Sequence, residues 1–123
     1  MPSLSLFHND LTAANFPAGH KFFSAGETGD KMYVVLDGEV ELTLRGITLE
    51  TVGEGGFFGE MALIDKRERS ASAVAKTDCR VAPVDQRRFL YLVQNTPFFA
   101  VEIMATMSDR LRRADDMINP VAG

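Results

Sequence analysis

Hydrophobic and polar residues alternate in short segments over the first two thirds of the chain, and glycines separate these segments. A compact apolar run covers residues 32–36, and the pair Asp37-Gly38 after it favours a tight hairpin turn. All glycines except Gly123 lie between Gly19 and Gly59, and turn signals there often recur every seven to ten residues. This spacing is typical of a β-barrel or β-sandwich.

A second hairpin is predicted over residues 39–49, with its turn at Arg45-Gly46. Apolar residues alternate with polar ones in this segment, so we expect the apolar set to face the core. The set comprises Val40, Leu42, Leu44, Ile47 and Leu49.

The pattern becomes less regular after this hairpin. Residues 53–56 are too rich in glycine for a regular element, and residues 57–64 predict a short helix-like segment. Two further strands are predicted over residues 70–76 and 80–84, which complete the β-rich part of the chain.

Two helices are predicted near the C-terminal end. Apolar residues with helical spacing begin after residue 85, and Asn95-Thr96-Pro97 ends this first helix. A last helix is predicted over residues 97–118, with Pro97 suited to its first turn. Its apolar residues follow a heptad-like 4-3-4-3-4 spacing. They are Ala100, Met104, Met107, Leu111, Ala114 and Ile118.

These elements predict an α+β fold that is mainly β: a small antiparallel β-barrel or β-roll followed by two helices. The length of 123 residues predicts one domain over residues 1–123. The β-roll is expected over about residues 15–84 and the C-terminal helices over about residues 85–118.

Composition narrows the classes of function. The net charge of −4 disfavours a nucleic-acid partner, and no apolar run is long enough to cross a bilayer. Cys79 is the only cysteine, which fits a reducing cytoplasm. Two histidines and one cysteine are too few for most zinc sites, so we expect no metal and no cofactor. The chain offers no Ser/His/Asp or Cys/His arrangement, so no enzymatic activity is expected either.

The residues best suited to bind a ligand lie between Gly55 and Ala75. In this segment, clustered glycines precede a carboxylate, Glu60, and an arginine, Arg69. Glycine lets the backbone approach an anion closely, and a helix start offers free N–H groups. Arginine supplies paired donors that match phosphate oxygens. Because a carboxylate repels phosphate, a sugar hydroxyl is its natural partner. These residues predict a ligand that carries a phosphate and a hydroxyl close together.

The segment Phe58-Gly59-Glu60-Met61-Ala62-Leu63-Ile64, followed by Arg69-Ser70-Ala71-Ser72-Ala73-Val74, resembles the phosphate-binding cassette of cyclic nucleotide-binding domains. The spacing of nine residues between glutamate and arginine matches the common form of the cassette. The resemblance covers about residues 15–118 and implies a jelly-roll-like β-roll with a short phosphate-binding helix. One departure is Glu68, which stands where many relatives carry proline.

The resemblance also implies roles for individual residues. Glu60 would accept the ribose 2′-hydroxyl, and Arg69 would pair with the cyclic phosphate. Ser70 would contact phosphate or base, which leaves both cAMP and cGMP open. Leu44 would line the base pocket, and Arg110 would contact the base from the last helix. Backbone N–H groups would complete the site at Gly59, Met61, Ala62 and Ala71.

The sequence therefore indicates a cytoplasmic sensor for a cyclic mononucleotide, with the last helix as a lid. We expect it to act on an unknown protein partner or to associate with a second copy of the chain through the 97–118 helix. We expect neither nucleic acid nor a membrane as a partner. One alternative is an interaction or dimerisation module with a vestigial pocket. Another is a small cupin-like metal enzyme, which would need several histidines, and the chain has none after His20.

Overall fold

The computed structural model describes residues 6–7 and 9–118, with side chains described as far as residue 116. The strands are Ala14–Phe16 (β1), Lys21–Phe23 (β2), Lys31–Asp37 (β3), Val40–Leu44 (β4), Ile47–Val52 (β5), Phe57–Phe58 (β6), Ser72–Ala75 (β7) and Cys79–Asp85 (β8). The helices are Met61–Ile64 (α1), Gln86–Asn95 (α2) and Pro97–Ile118 (α3).

The strands form two antiparallel sheets of four strands each, in the orders β1-β8-β3-β6 and β2-β7-β4-β5. Most neighbours within a sheet are distant in sequence, because the chain passes repeatedly from one sheet to the other. Side chains from both sheets meet in one core, so the sheets close into a β-roll. The predicted fold class, α+β and mainly β, is confirmed.

The sheet that contains β3 and β8 is buried on both faces. Val35 and Val81 point into the core between the two sheets, whereas Met32 and Val84 pack on the opposite side against the helices. A strand covered on both faces needs apolar residues at consecutive positions, not strict alternation. This explains the continuous apolar run of residues 32–36.

The β4–β5 hairpin departs from the predicted alternation. A register shift between Leu42 and Thr43 places Leu42 opposite Glu50. Ile47 and Leu49 are 62% and 39% exposed, so the expectation that they face the core is wrong. The shift leaves Leu49 as the extra residue of the bulge, without a partner on β4, whereas Ile47 pairs with Leu44 beside the turn, outside the core.

Residues 57–64 do not form a single helical segment as predicted. Phe57 and Phe58 form β6, which pairs with β3. The Phe57 side chain packs on the helix side of the sheet, and the Phe58 side chain packs in the core between the two sheets. Gly59 follows with φ of +80°, a backbone conformation that favours glycine. The helix α1 is a single turn, and it begins only at Met61.

The two C-terminal helices agree with the prediction. The Asp85 side chain caps α2 by accepting a hydrogen bond from the Arg88 N–H at 2.8 Å. Pro97 begins α3, which ends at Ile118 as expected; the side chain of Ile118 lies outside the described residues. None of the described helices is long and apolar enough to span a membrane.

An ion pair fastens the N-terminal segment to α2. The Asp10 carboxylate accepts hydrogen bonds from the Arg88 side chain at 2.8 Å and from the Thr12 hydroxyl at 2.6 Å. Burial raises the pKa of Asp10, but the hydrogen bonds from Thr12 and Arg88 outweigh it and hold the pKa below its ordinary value. Beside this pair, Phe7 is fully buried and packs against Phe99 at the start of α3.

Candidate functional site

A cavity of about 620 Å³ separates the β-roll from α3. This volume lies within the usual range for small-molecule sites. The wall on the β-roll side contains residues of the predicted cassette together with two apolar side chains, Phe23 and Leu42. The cassette residues in this wall are Gly59, Glu60, Met61, Ala62, Arg69, Ser70 and Ala71, with Glu68 beside them.

The opposite wall is formed by α3 and contains four residues of the heptad-like stripe. Its lining residues are Met104, Met107, Ser108, Arg110, Leu111 and Ala114. Met104 and Leu111 are 60% and 65% exposed, so they cover the cavity loosely. The residues of α3 buried in the core are Phe99 and Ile103, and the partly buried Met107 packs against them from the stripe.

The backbone at the start of α1 lies along the cavity. Gly59 lines the cavity with φ of +80°, and the Ala62 N–H donates to its carbonyl oxygen across a long 3.4 Å. The Leu63 and Ile64 N–H groups both donate to the Glu60 carbonyl oxygen, at 3.0 and 3.2 Å. The first turn of any helix leaves N–H groups without partners in the helix, and here that turn borders the cavity.

Arg69 is buried, with 7% of its surface exposed. Its Nη1 and Nη2 donate to the carbonyl oxygens of Gly59 and Lys31, at 3.0 and 2.8 Å. Its guanidinium also lies over the Phe23 ring, 4.0 Å from the ring centre. The Nε–H is buried and has no hydrogen-bond partner among the described residues. A buried cation with a free donor is suited to receive an anion.

Burial lowers the pKa of the Arg69 guanidinium, and the nearby Tyr33, Asp30 and Glu27 oppose that lowering. Arginine nevertheless keeps its proton in proteins, so the site holds a fixed positive charge.

Two glycines make room for this guanidinium. A Cβ on Gly29 would lie 2.3 Å from Nε and Nη2 of Arg69, and a Cβ on Gly59 would lie 2.7 Å from Nη1. These distances are far below van der Waals contact. The slot for the guanidinium therefore depends on the absence of a side chain at both positions.

Glu60 is also buried, at 4% exposure, and its Oε1 accepts a hydrogen bond from Arg110 Nη1. The pair joins the cassette to α3 across 50 residues of sequence. A buried carboxylate needs such a partner to offset the loss of hydration.

Arg110 makes three further contacts on the β-roll. Its Nε and Nη2 donate to the two carboxylate oxygens of Glu50, at 2.8 and 3.2 Å, and Nη2 also donates to the Phe57 carbonyl oxygen. Sequence reasoning placed Arg110 at the site but missed Glu50. The sequence shows Glu50 only as a charged residue next to the predicted inward positions of β5. The bulge changes the face on which Glu50 lies, and the alternating pattern does not reveal this change.

Two side chains proposed for the base pocket differ in placement. Ser70 is exposed and lines the cavity next to Arg69. Leu44 does not line the cavity, and Leu42 stands there in its place. Leu44 pairs with Ile47 beside the β4–β5 turn, at the far end of the hairpin.

No group of three or more His, Cys, Asp or Glu side chains that would suit a metal ion was found within residues 6–7 and 9–116. Fold and site together define a binding domain in which a buried arginine, a buried carboxylate and the first turn of a short helix border one cavity.

Comparison with known proteins agrees with this class. The family model described as "Cyclic nucleotide-binding domain" matches residues 13–96, and the chain belongs to this family. The cyclic AMP receptor protein of Thermus thermophilus is 36% identical in an alignment 118 residues long, which covers 92% of this chain and 53% of that protein. The chain therefore spans about half the length of this relative.

Solved structures share the fold. The crystal structure of the Thermus thermophilus catabolite activator protein superposes with a TM-score of 0.77 and 34% identity, covering 95% of this chain and 62% of that one. The EAL enzyme Bd1971 in its cGMP-bound form has a TM-score of 0.62 and 36% identity, covering 83% of this chain and 28% of that one.

Proposed function

We propose that this chain is a regulatory module that binds cAMP in the cavity between the β-roll and α3. The observation that carries this proposal is the buried Arg69 guanidinium, held in a glycine-lined slot with a free Nε–H, in one cavity with the buried Glu60. Phosphate and ribose are the ligand groups that this pair of charges suits. The 36% identical relative that is named a cyclic AMP receptor protein supports cAMP as the ligand.

Each part of the ligand has a proposed partner. The Arg69 guanidinium pairs with the cyclic phosphate, and the Glu60 carboxylate accepts the ribose 2′-hydroxyl. The base packs against apolar side chains of the cavity, with Leu42 in the position first expected for Leu44. The backbone N–H groups proposed to complete the sugar and phosphate site are those of Gly59, Met61, Ala62 and Ala71.

Arg110 is the proposed contact to the base from α3. Its four contacts to Glu50, Glu60 and the Phe57 carbonyl use four of the five N–H donors of a guanidinium. The remaining proton on Nη1 is available for a ligand atom.

The α3 helix is the proposed lid. Its wall consists largely of methionine, leucine and alanine side chains, and methionine adapts its shape to whatever packs against it. A ligand that contacts both walls favours the conformation in which α3 is closed over the cavity. That shift in population is the proposed signal.

A second candidate ligand is cGMP. The Ser70 hydroxyl borders the cavity beside Arg69 and is able to accept a hydrogen bond from the guanine amino group. The 36% identical enzyme Bd1971 is described in a cGMP-bound form, which supports keeping this candidate.

The proposed partner is an unidentified protein or a second copy of the chain, bound through α3, in the cytoplasm and without nucleic acid. Exposed apolar side chains on α3 support self-association, since Phe98, Val101 and Met104 are each more than half exposed. Light scattering after size-exclusion chromatography tests it, and a monomer with and without nucleotide would exclude pairing through α3.

Isothermal titration calorimetry tests the proposed ligand. Purified protein, freed of nucleotide carried over from expression, is titrated with cAMP, cGMP and 5′-AMP. We expect saturable binding of cAMP, weaker binding of cGMP and much weaker binding of 5′-AMP. If folded protein binds neither cyclic nucleotide, the sensor function is wrong, and an interaction module with a vestigial pocket becomes the better interpretation.

A further inference from the structure

Glu50 lies on β5 outside the cassette, yet its side chain is only 15% exposed and points toward α3. The β4–β5 register pairs it with Leu42, which lines the cavity. Residues directly opposite each other on antiparallel strands project from the same face of the sheet. The bulge at Leu42 and Thr43 therefore moves a charged residue onto the cavity side of the sheet.

Glu50 holds two arginines of α3. Its Oε1 and Oε2 receive the side-on edge of the Arg110 guanidinium, at 2.8 Å from Nε and 3.2 Å from Nη2. Its Oε1 also lies 3.4 Å from Nη1 of Arg113. Residues three apart share one face of a helix, so both guanidinium groups reach the carboxylate from the same side. Bidentate pairing fixes the plane of a guanidinium as well as its distance.

This pairing determines how Arg110 meets Glu60. With its side-on edge committed to Glu50, Arg110 presents only Nη1 to Glu60, and the contact uses one carboxylate oxygen, Oε1. A guanidinium without another anion would pair with a carboxylate through two donors and occupy both oxygens. Glu50 thus leaves the second oxygen of Glu60 for a hydroxyl group.

We propose that Glu50 is a positioning residue for the ribose site: by sharing Arg110 it keeps one oxygen of Glu60 open to the 2′-hydroxyl, and it holds α3 against the β-roll. This inference rests on the proposed function, because it concerns the ribose of the proposed ligand. Glu50 itself is proposed to act only through Arg110, without contact to the ligand.

The test compares a ligand that carries the 2′-hydroxyl with one that lacks it. Wild type, Glu50→Gln and the control Glu54→Gln are titrated calorimetrically with cAMP and with 2′-deoxy-cAMP. Glu54 is exposed in the loop after β5, so its replacement removes the same charge from the surface. We expect Glu50→Gln to weaken cAMP binding roughly tenfold more than it weakens 2′-deoxy-cAMP binding, because one hydrogen bond to a charged group is worth about that factor and a looser α3 affects both ligands alike.

A purely structural role for Glu50 would weaken both ligands equally. Equal losses for the two ligands, or no loss for cAMP, would overturn the positioning role while the proposed function stands. Wild type that binds neither ligand would overturn the proposed function and the ribose role together.

A second measurement needs no nucleotide. Hydrogen–deuterium exchange of the α3 amides over residues 108–114 reports how firmly the helix lies on the β-roll. Faster exchange in Glu50→Gln than in both wild type and Glu54→Gln supports the hold on α3, and identical exchange in all three proteins refutes it.

Discussion

Replacing Arg69 by glutamine removes the fixed charge of the site and keeps a polar side chain. Arg69 is 93% buried, so little water is present to screen its attraction to a phosphate. A charge-assisted hydrogen bond of this kind contributes about 1.5–3 kcal/mol. That range corresponds to a loss of roughly 10- to 150-fold in affinity. We expect Arg69→Gln to bind cAMP more weakly by a factor within that range.

The assay is calorimetric titration with cAMP, together with thermal unfolding of each variant. Unfolding matters because Arg69 also donates to the carbonyl oxygens of Gly59 and Lys31, which lose a partner in the variant. The matched control is Arg67→Gln in the same loop. The Arg67 side chain is 84% exposed, and its ion pair with Asp65 is long, at 3.6 Å, so this variant should bind like wild type.

Stability and binding are separated by titrating below the melting temperature of the weaker variant. A folded Arg69→Gln protein that binds cAMP within about threefold of wild type would refute the assignment of this guanidinium to the phosphate, since a lost charge-assisted contact costs at least about tenfold. A comparable loss in Arg67→Gln would point to a general effect of loop charge.

Three further predictions concern the guanidinium slot and the stability of the fold. Gly29→Ala places a Cβ 2.3 Å from the buried guanidinium of Arg69 and should weaken cAMP binding roughly tenfold or more. The control Gly53→Ala has nothing within 4 Å of the added Cβ and should bind like wild type. Equal affinities of the two variants in calorimetry would contradict the need for glycine beside the guanidinium. The lowered pKa of Asp10 means that its carboxylate stabilises the fold above about pH 4 and that this contribution disappears as the pH falls through the folded-state pKa. Melting curves of wild type and Asp10→Asn should therefore differ near neutral pH and converge in acid, and a constant separation would disprove this. Phe99→Ala empties a site that is 2% exposed and should cost ~3–5 kcal/mol in urea unfolding, while Phe98→Ala, at 57% exposure, should cost much less; similar losses would contradict the assignment of core and surface on α3.

Local patterns were sufficient for most of the fold. The run over residues 32–36 and the break at Pro97 depend on neighbours in sequence, and both elements appear where the sequence predicts them. Phe57 and Phe58 were assigned wrongly because two adjacent aromatic residues fit a helix or a strand equally well. Their pairing with β3 decides between the two, and that contact is distant in sequence.

The β4–β5 hairpin shows why part of the site escaped prediction. Counting outward from the Arg45-Gly46 turn places Leu49 opposite Leu42, and only the bulge brings Glu50 there instead. Nothing in the sequence of the hairpin marks the bulge. Consequently Leu49 was expected inside, and the role of Glu50 became visible only through its contacts with Arg110.

The cassette itself could be predicted because its residues are close together in sequence. Glu60 and Arg69 are nine residues apart, and both are buried at the same cavity. The partners that position them come from elsewhere: Lys31 and Gly29 for Arg69, and α3 for Glu60. Such long-range partners depend on tertiary structure and leave no local signal.

The two walls of the cavity have different consequences for the kinetics of binding. The buried charge of Arg69 is held in place by the carbonyl oxygens of Gly59 and Lys31, so its attraction acts as soon as an anion arrives and influences the association rate. The α3 wall is largely exposed and apolar, and in the proposed function it closes over a ligand that the cassette already holds. Changes in α3 should therefore alter how long a nucleotide stays bound, and the residence time of the ligand can be tuned without changing how fast it is captured.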